Sequence, residues 1–259
     1  MSVEINKELL RKNLIFDLPV VYNDHITLHP VRMKDSLDFQ VFQLAITARK
    51  DSIFPRKDVI KMGYWDFIKE TAINPDNFQS KDLPLVSLYY SFILTMLPKI
   101  CGKDADIEYS TSTLDMYING ELITNEIFDD IRRIIILQND IDFDIDEFMN
   151  IDTVKALEKA REFEAKKNKE TSDIEDYIDS LVIELRTTNE YVMNLTVRKF
   201  WRYIKRVNKH EQYEACLNGQ MSGMATFKEP IEHWMTSIEV KDKYENLKTD
   251  EGELREKIG

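Results

Sequence analysis

Turn-forming residues are scarce in this chain, and their scarcity restricts the folds open to it. Its 259 residues include only seven glycines and seven prolines. Sheet-rich folds need many turns, and these two residues supply much of the special backbone geometry that turns require. The chain is also 43% hydrophobic, which at this length is enough to bury a real core. The sequence therefore predicts a mainly α fold with a minor β part.

Two short stretches are predicted to form the β part. Residues 26–31 alternate apolar and polar side chains up to a proline, which indicates a short N-terminal strand. A β-hairpin is predicted within residues 107–124, because Asn119 and Gly120 separate two alternating runs. Both residues tolerate the positive φ angles of a type I′ turn.

Most of the remaining chain has helical periodicity. After Lys34, a helix is expected whose inward face carries Leu37, Val41, Leu44 and Ala48. Further helices are predicted over 57–72, 83–100, 125–137, 152–169, 172–185 and 195–217. Asn125 is the expected N-cap of one of them, and Ser172 with Glu175 forms a capping box for another.

Three regions are expected along the chain. Residues 1–137 form an N-terminal helical region with the small β elements, residues 138–235 form a C-terminal helical region packed on it, and residues 236–259 form a polar tail. The most apolar run, 83–100, has a proline near each end and barely the length of a bilayer span. It is predicted to be a buried core helix, so no membrane is expected as a partner.

Charge and motif content argue against several functions. A formal charge of −12 disfavours nucleic acid as a partner. The two cysteines, Cys101 and Cys216, fit no ligand spacing and are expected to be free thiols in a reducing compartment. Glycine is too sparse for a phosphate-binding loop, and no serine or cysteine lies in a nucleophile motif. We therefore expect no enzymatic activity and no cofactor.

Two stretches contain candidate metal ligands. His25 and His29 share one face of the predicted strand, but they are too far apart to chelate an ion alone and lack a third ligand nearby. Residues 140–147 alternate aspartate with apolar residues like the start of a calcium-binding loop. The required glycine at the sixth position is Ile145, and the required glutamate at the twelfth is Ile151. No metal is therefore expected, and residues 140–147 are predicted to be extended.

The helix predicted over 195–217 mixes basic and aromatic residues. Such a pattern suits nucleic acid, a solvated basic face with aromatic packing, or pairing with acidic residues of segment 140–147 or of a second copy. The acidic charge of the chain disfavours the first of these. The candidate protein-binding residues are Arg198, Trp201, Arg202, Lys205, Arg206 and Trp234.

The stretch MSGMATFKEPIEHW, residues 221–234, follows that helix. Gly219 and Gly223 are expected to end the helix, because glycine adopts the left-handed conformation of a C-cap. Residues 224–227 are expected to be extended. Pro230 is expected to begin a short helix that carries Trp234 back onto the fold.

The same stretch carries a resemblance, together with the preceding YEAC at 213–216. These residues, with LPV at 18–20, ITLHPV at 26–31 and VIKMGY at 59–64, resemble tail-assembly proteins of tailed phages that infect Gram-positive hosts. The similarity spans about residues 18–234.

The resemblance implies a helical, acidic tail-assembly chaperone in the host cytoplasm, with no catalytic residues. Its expected partners are the tape-measure protein or other tail and baseplate proteins. Self-association of the chain is a further expected contact. A permanent virion component, such as a baseplate or tail-hub protein located in the virion tail, is the alternative within the same class. An enzyme with an unrecognised active site is the alternative from a different class.

Overall fold

Helices dominate the computed structural model, which describes residues 5, 7–145, 172–224, 226–227 and 229–238. Their bounds are α1 Arg11–Phe16, α2 Ser36–Thr47, α3 Lys50–Ile53, α4 Lys57–Lys61, α5 Tyr64–Ile73, α6 Leu83–Val86, α7 Tyr89–Cys101, α8 Asn125–Gln138, α9 Ile174–Glu184, α10 Asn189–Asn194 and α11 Val197–Met221. Single 3-10 turns lie at Met33–Asp35 and Pro75–Asn77. The predicted mainly α class is confirmed.

The strands form two small antiparallel sheets. Their bounds are β1 Val20–Val21, β2 Thr27–Leu28, β3 Ile107–Tyr109, β4 Met116–Ile118 and β5 Glu121–Leu122. β1 pairs with β2, and β3, β4 and β5 form a meander in that order. Asn119 and Gly120 connect β4 to β5 with φ angles of 49° and 78°. Both β predictions are therefore confirmed, including the positive-φ turn.

Two compact units are present, Met1–Phe200 and Trp201–Gly259. Their boundary falls inside α11. A continuous helix has no linker composition, so no local signal marks a division at that point. The division of the sequence into regions 1–137, 138–235 and 236–259 stays a prediction. Within the first unit, α2 packs on α7, and Lys99 near the end of α7 pairs with Asp35 and Asp38 at 3.0 and 2.5 Å.

Residues Leu83–Cys101 are long and apolar enough to cross a membrane by length and composition. In the fold they are divided between α6 and α7. The buried residues of α7 are Tyr89, Tyr90, Ile93, Met96, Leu97, Ile100 and Cys101. One face of α7 therefore packs in the core of the first unit, whereas Leu85 and Leu88 are 41% and 49% exposed, so the predicted core helix is only partly buried. Gly102 ends α7 with a φ of 94°.

The predicted inward face of α2 is wrong. Leu37 is 66% exposed, Val41 39% and Leu44 45%. The buried side chains of α2 are Ser36, Phe39, Phe42, Ala45 and Ile46. The face with two phenylalanines is buried instead, because burial of larger apolar side chains contributes more free energy to folding.

The helix predicted over 57–72 is interrupted between α4 and α5. Gly63 is extended there, and a Cβ on it would lie 2.2 Å from the side chain of Asn125. Asn125 exchanges hydrogen bonds with Asp66, accepting from its N–H at 3.0 Å and donating to Oδ2 at 2.7 Å. Asn125 was predicted to be the N-cap of α8, and this prediction is wrong. That role belongs to Thr124, whose Oγ1 accepts from Ile127 N–H at 3.3 Å.

The remaining helix predictions agree in position but differ in detail. The capping box of α9 consists of Asp173 and Asp176, one residue beyond the predicted pair. On α9, Leu181 is buried, whereas Ile183 is 75% exposed. The predicted helix over 152–169 lies outside the described residues. So do residues 146 and 147 of the acidic segment, whereas residues 141–145 form neither helix nor strand.

Both cysteines are free, as predicted, and we expect them to react with thiol reagents at very different rates. Burial raises the pKa of the Cys101 thiol to about 12, so only about one thiol in ten thousand is ionised at pH 8. Cys216 is partly exposed. A disulfide-exchange dye should therefore label one thiol rapidly and the other only after unfolding. Cys216→Ser should remove the rapid phase, and two rapid thiols in the native protein would contradict the burial of Cys101.

Candidate protein-binding surface of the second unit

The start of α11 is anchored within the first unit. Thr196 Oγ1 accepts from Lys199 N–H at 3.2 Å and donates to Asp17 at 3.1 Å, and Lys199 Nζ donates to the same carboxylate at 2.8 Å. Arg198 is 8% exposed and donates from Nη1 to the carbonyl of Leu14 at 2.8 Å. The guanidinium of Arg198 therefore takes part in the packing of the first unit.

The end of α11 is a glycine-based helix exit at Gly223, as predicted, whereas the same prediction for Gly219 is wrong, because Gly219 lies inside the helix. Gly223 has a φ of 71°. Its N–H donates to the carbonyl of Gln220 at 3.1 Å, and Met224 N–H donates to the carbonyl of Gly219 at 3.0 Å. These two bonds form a Schellman motif, in which the left-handed glycine reverses the chain direction.

The chain then returns along α11 as a segment that we call the strap, residues 229–238. The short helix predicted to begin at Pro230 is wrong, because the strap has only a turn near residues 234–236. In a helix, the strap's backbone carbonyls would accept hydrogen bonds from its own N–H groups. The carbonyls of Trp234, Thr236 and Ser237 instead accept hydrogen bonds from basic side chains of α11.

Arg206 and Lys209 are basic residues of α11 that bind the strap. Arg206 donates from Nη1 to the carbonyls of Trp234 and Thr236, the latter at 2.9 Å. Lys209 Nζ donates to Thr236 Oγ1 at 2.6 Å and to the carbonyl of Ser237 at 3.1 Å, and it lies 3.3 Å from Glu232. Hydrogen bonds from charged donors are the stronger class. They give the strap a defined position on the basic part of the helix.

Aromatic contacts add to this attachment. The rings of Trp234 and His210 meet edge to face at 4.9 Å, and those of His233 and Tyr213 lie 5.1 Å apart. His233 Nδ1 accepts from Met235 N–H at 3.2 Å. Trp234 therefore packs back onto the helix of its own unit, as the sequence predicted.

The structure brings together only part of the predicted site. Arg206 and Trp234 are in contact, while Lys205 is exposed on α11 and Arg198 belongs to the first unit. Trp201 and Arg202 are half-buried. The residues of this contact that were not predicted are Lys209, His210, Tyr213, Glu232 and Thr236. The spacing of residues 206, 209, 210 and 213 places them on one helical face, so the sequence could have indicated that they act together.

The histidines that were examined as metal ligands, His25 and His29, lie in the first unit. They line an open cleft of about 580 Å³, and His25 Nδ1 lies 3.1 Å from the carbonyl of Asn119. Within the described part of the chain, no three histidine, cysteine or acidic side chains are grouped to hold a metal ion.

We expect the strap to be released when Arg206 and Lys209 are both replaced by alanine. The double variant Arg206→Ala, Lys209→Ala loses the charged donors to the strap, each contributing roughly 1–3 kcal/mol. Chymotrypsin cleavage after Trp234 should accelerate by at least about tenfold. Lys205→Ala is the matched control, since Lys205 makes no hydrogen bond or ion pair with the described strap residues. Equal cleavage rates for both variants would contradict this role of Arg206 and Lys209.

Comparison with known proteins bears on this same region. Residues 166–239 match the family model of the YomV second domain, a phage-type protein family. The matched range contains α9, α10, α11 and the strap. No curated protein and no solved structure matches the chain. The C-terminal part of the chain is therefore similar to a domain of phage-type proteins.

Proposed function

We propose that the protein is a phage tail-assembly chaperone-like protein. In this proposal it acts in the host cytoplasm without catalysis and binds the tape-measure protein or another tail component. The observation that carries the proposal is the match of residues 166–239 to a phage-type domain. The resemblance of the motifs at 18–20, 26–31, 59–64 and 213–234 to tail-assembly proteins supports the narrower role.

The exposed surface is also compatible with binding another protein. Large apolar side chains are exposed in both units, among them Val21 at 68%, Leu37 at 66%, Ile183 at 75% and Met224 at 88%. Exposed apolar groups are a common feature of protein interaction surfaces when they form contiguous patches. A chaperone that covers apolar parts of an unassembled partner needs such groups on its own surface.

The test is affinity purification of the tagged full-length chain from host cells in which the encoding phage is assembling. Mass spectrometry of the eluate should identify the tape-measure protein, or another tail protein, as the main partner. The same measurement on purified virions should not find the chain. A fixed number of copies per virion would favour a permanent baseplate or hub component, and an eluate without tail proteins would contradict the proposal.

A further inference from the structure

The strap covers one face of α11. Arg206, Lys209, His210 and Tyr213 each contact the strap through hydrogen bonds or ring contacts. Their spacing places them on the same side of the helix. We call these residues the covered face. They form a single surface, because one segment of the chain is bound to all of them.

The strap has the composition of an acidic ligand. Residues 229–238 contain two glutamates and no lysine or arginine, whereas residues 195–210 contain no carboxylate side chain. Glu232 lies 3.3 Å from Lys209 Nζ, and the ring of Trp234 lies 4.9 Å from that of His210. The covered face therefore binds carbonyl and carboxylate oxygens together with an aromatic ring.

The strap is held at the surface of the second unit. Each of its residues is exposed or half-buried. The side chain of Glu232 is 67% exposed, and Met235 is 66% exposed. Segments with few buried apolar contacts and solvent-exposed hydrogen bonds open at a low cost in free energy. The strap can therefore leave α11 while the helix keeps its own backbone hydrogen bonds.

We propose that the strap is an intramolecular competitor of a partner protein for the covered face. The partner segment that replaces it is acidic, non-helical and carries an aromatic side chain, because these are the properties of the segment now bound. Lys205 is exposed one helical turn before Lys209 and makes no hydrogen bond or ion pair with the described strap residues. A segment with more carboxylates than the strap also contacts Lys205, so it binds more tightly than the strap does.

The local basic charge decides the sign of this partner. At physiological ionic strength, charges more than about 8 Å apart are largely screened, so the basic residues of α11 act more strongly on a bound segment than the formal charge of −12 does. A second copy of the chain supplies only an identical strap, and the tethered strap competes at a roughly millimolar effective concentration. The occupant is therefore a different protein. The inference does not depend on the tail-assembly role.

The probe for the test is a fluorescent synthetic peptide with the sequence of residues 229–238. Its matched control carries Glu229→Lys and Glu232→Lys, so that the two peptides differ in charge and share the aromatic residue. Fluorescence anisotropy measures the binding of each peptide to the purified full-length chain.

Two full-length variants release the strap in different ways. Glu232→Lys with Trp234→Ala, the strap variant, places a like charge beside Lys209 and removes the ring that contacts His210. It leaves the covered face intact. Arg206→Ala with Lys209→Ala, the face variant, releases the strap by removing the charged donors of the covered face. Circular dichroism shows that the helices of each variant are formed.

Amide hydrogen exchange of residues 229–238 should be faster in both variants than in the wild type. The strap variant should bind the probe at least about tenfold more tightly than the wild type does, because its own strap no longer competes. The face variant should not bind the probe more tightly than the wild type, since its charged donors are lost. The control peptide should bind weakly to all chains. Met235→Ser, at an exposed strap position, should change neither exchange nor binding.

Each of the alternatives gives a result that overturns the proposal. If neither variant has faster exchange, the strap is a fixed part of the unit and cannot compete. If the strap variant opens without tighter probe binding, the strap only completes the fold. If both variants bind the probe equally tightly, the probe binds outside the covered face. If a single-stranded oligonucleotide binds the strap variant more tightly than the probe does, nucleic acid fits the face better than protein.

Two further measurements separate a second copy and the proposed function from this inference. If sedimentation shows a wild-type dimer that the strap variant does not form, the strap of a second copy occupies the face and the proposal is wrong. If the wild type captures no tail protein from host cells, the proposed function fails. The peptide titration uses purified components, so it decides the role of the strap in either case.

Discussion

Trp65→Ala is expected to lower the free energy of unfolding by about 3–5 kcal/mol. Trp65 is 1% exposed, and its ring lies 4.6 Å from that of Phe128 and 5.6 Å from that of Tyr90. These rings come from α5, α8 and α7, so the indole joins three helices of the first unit. Truncation removes its transfer free energy and leaves a cavity that rigid neighbours cannot fill. Denaturant unfolding followed by circular dichroism measures the loss.

Trp65→Phe is the control for this variant. The indole Nε1 is buried without an acceptor among the described residues, so replacing the indole by a phenyl ring also removes an unsatisfied donor. We expect the phenylalanine variant to lose roughly 1–2 kcal/mol, because lost volume is partly offset by this gain. Equal losses for the two variants would show that ring packing at this position contributes little.

Arg132→Ala should destabilise the first unit by about 3–5 kcal/mol. The residue is 3% exposed, and Nε and Nη2 both donate to the carbonyl of Ile46, at 3.0 and 2.8 Å. Nη1 donates to Asp129 at 2.7 Å, and the guanidinium carbon lies 3.4 Å from the centre of the Tyr64 ring. The alanine variant loses all of these contacts and leaves a carbonyl in the last turn of α2 without these donors.

An exposed arginine provides the comparison for Arg132. Arg56 pairs with Asp58 at the surface, where the two side chains are 48% and 57% exposed. Exposed ion pairs are screened by solvent and contribute little, so Arg56→Ala should lower the free energy of unfolding much less than Arg132→Ala does. Comparable losses for the two variants, measured by denaturant unfolding, would contradict the structural role assigned to Arg132.

The two faces of α2 show where periodicity was insufficient. Leu37, Val41 and Leu44 have helical spacing, and so do Phe39, Phe42 and Ile46. Both stripes satisfy the same pattern, so the sequence indicates a helix without deciding which face is buried. That choice depends on the packing of α2 against α7, which is a contact between distant parts of the chain.

The candidate protein-binding residues were also only partly predictable from the sequence. Arg206 and Trp234 were identified because each is conspicuous in its local sequence. The contact between them joins residues 28 positions apart, and its acceptors are backbone carbonyls, which have no sequence signature. The buried position of Arg198 was likewise outside the reach of sequence patterns, since its partner is the carbonyl of Leu14.

By itself the sequence determined the features that depend on neighbouring residues. These are the helical class, the positive-φ turn at Asn119 and Gly120, and the glycine exit of α11, because backbone propensity acts over a few residues. Only the tertiary structure decided which face of α2 is buried, where the two units divide, and that the strap covers the basic part of α11. Those outcomes depend on which distant surfaces meet, and burial of side chains and carbonyls outweighs local preference there.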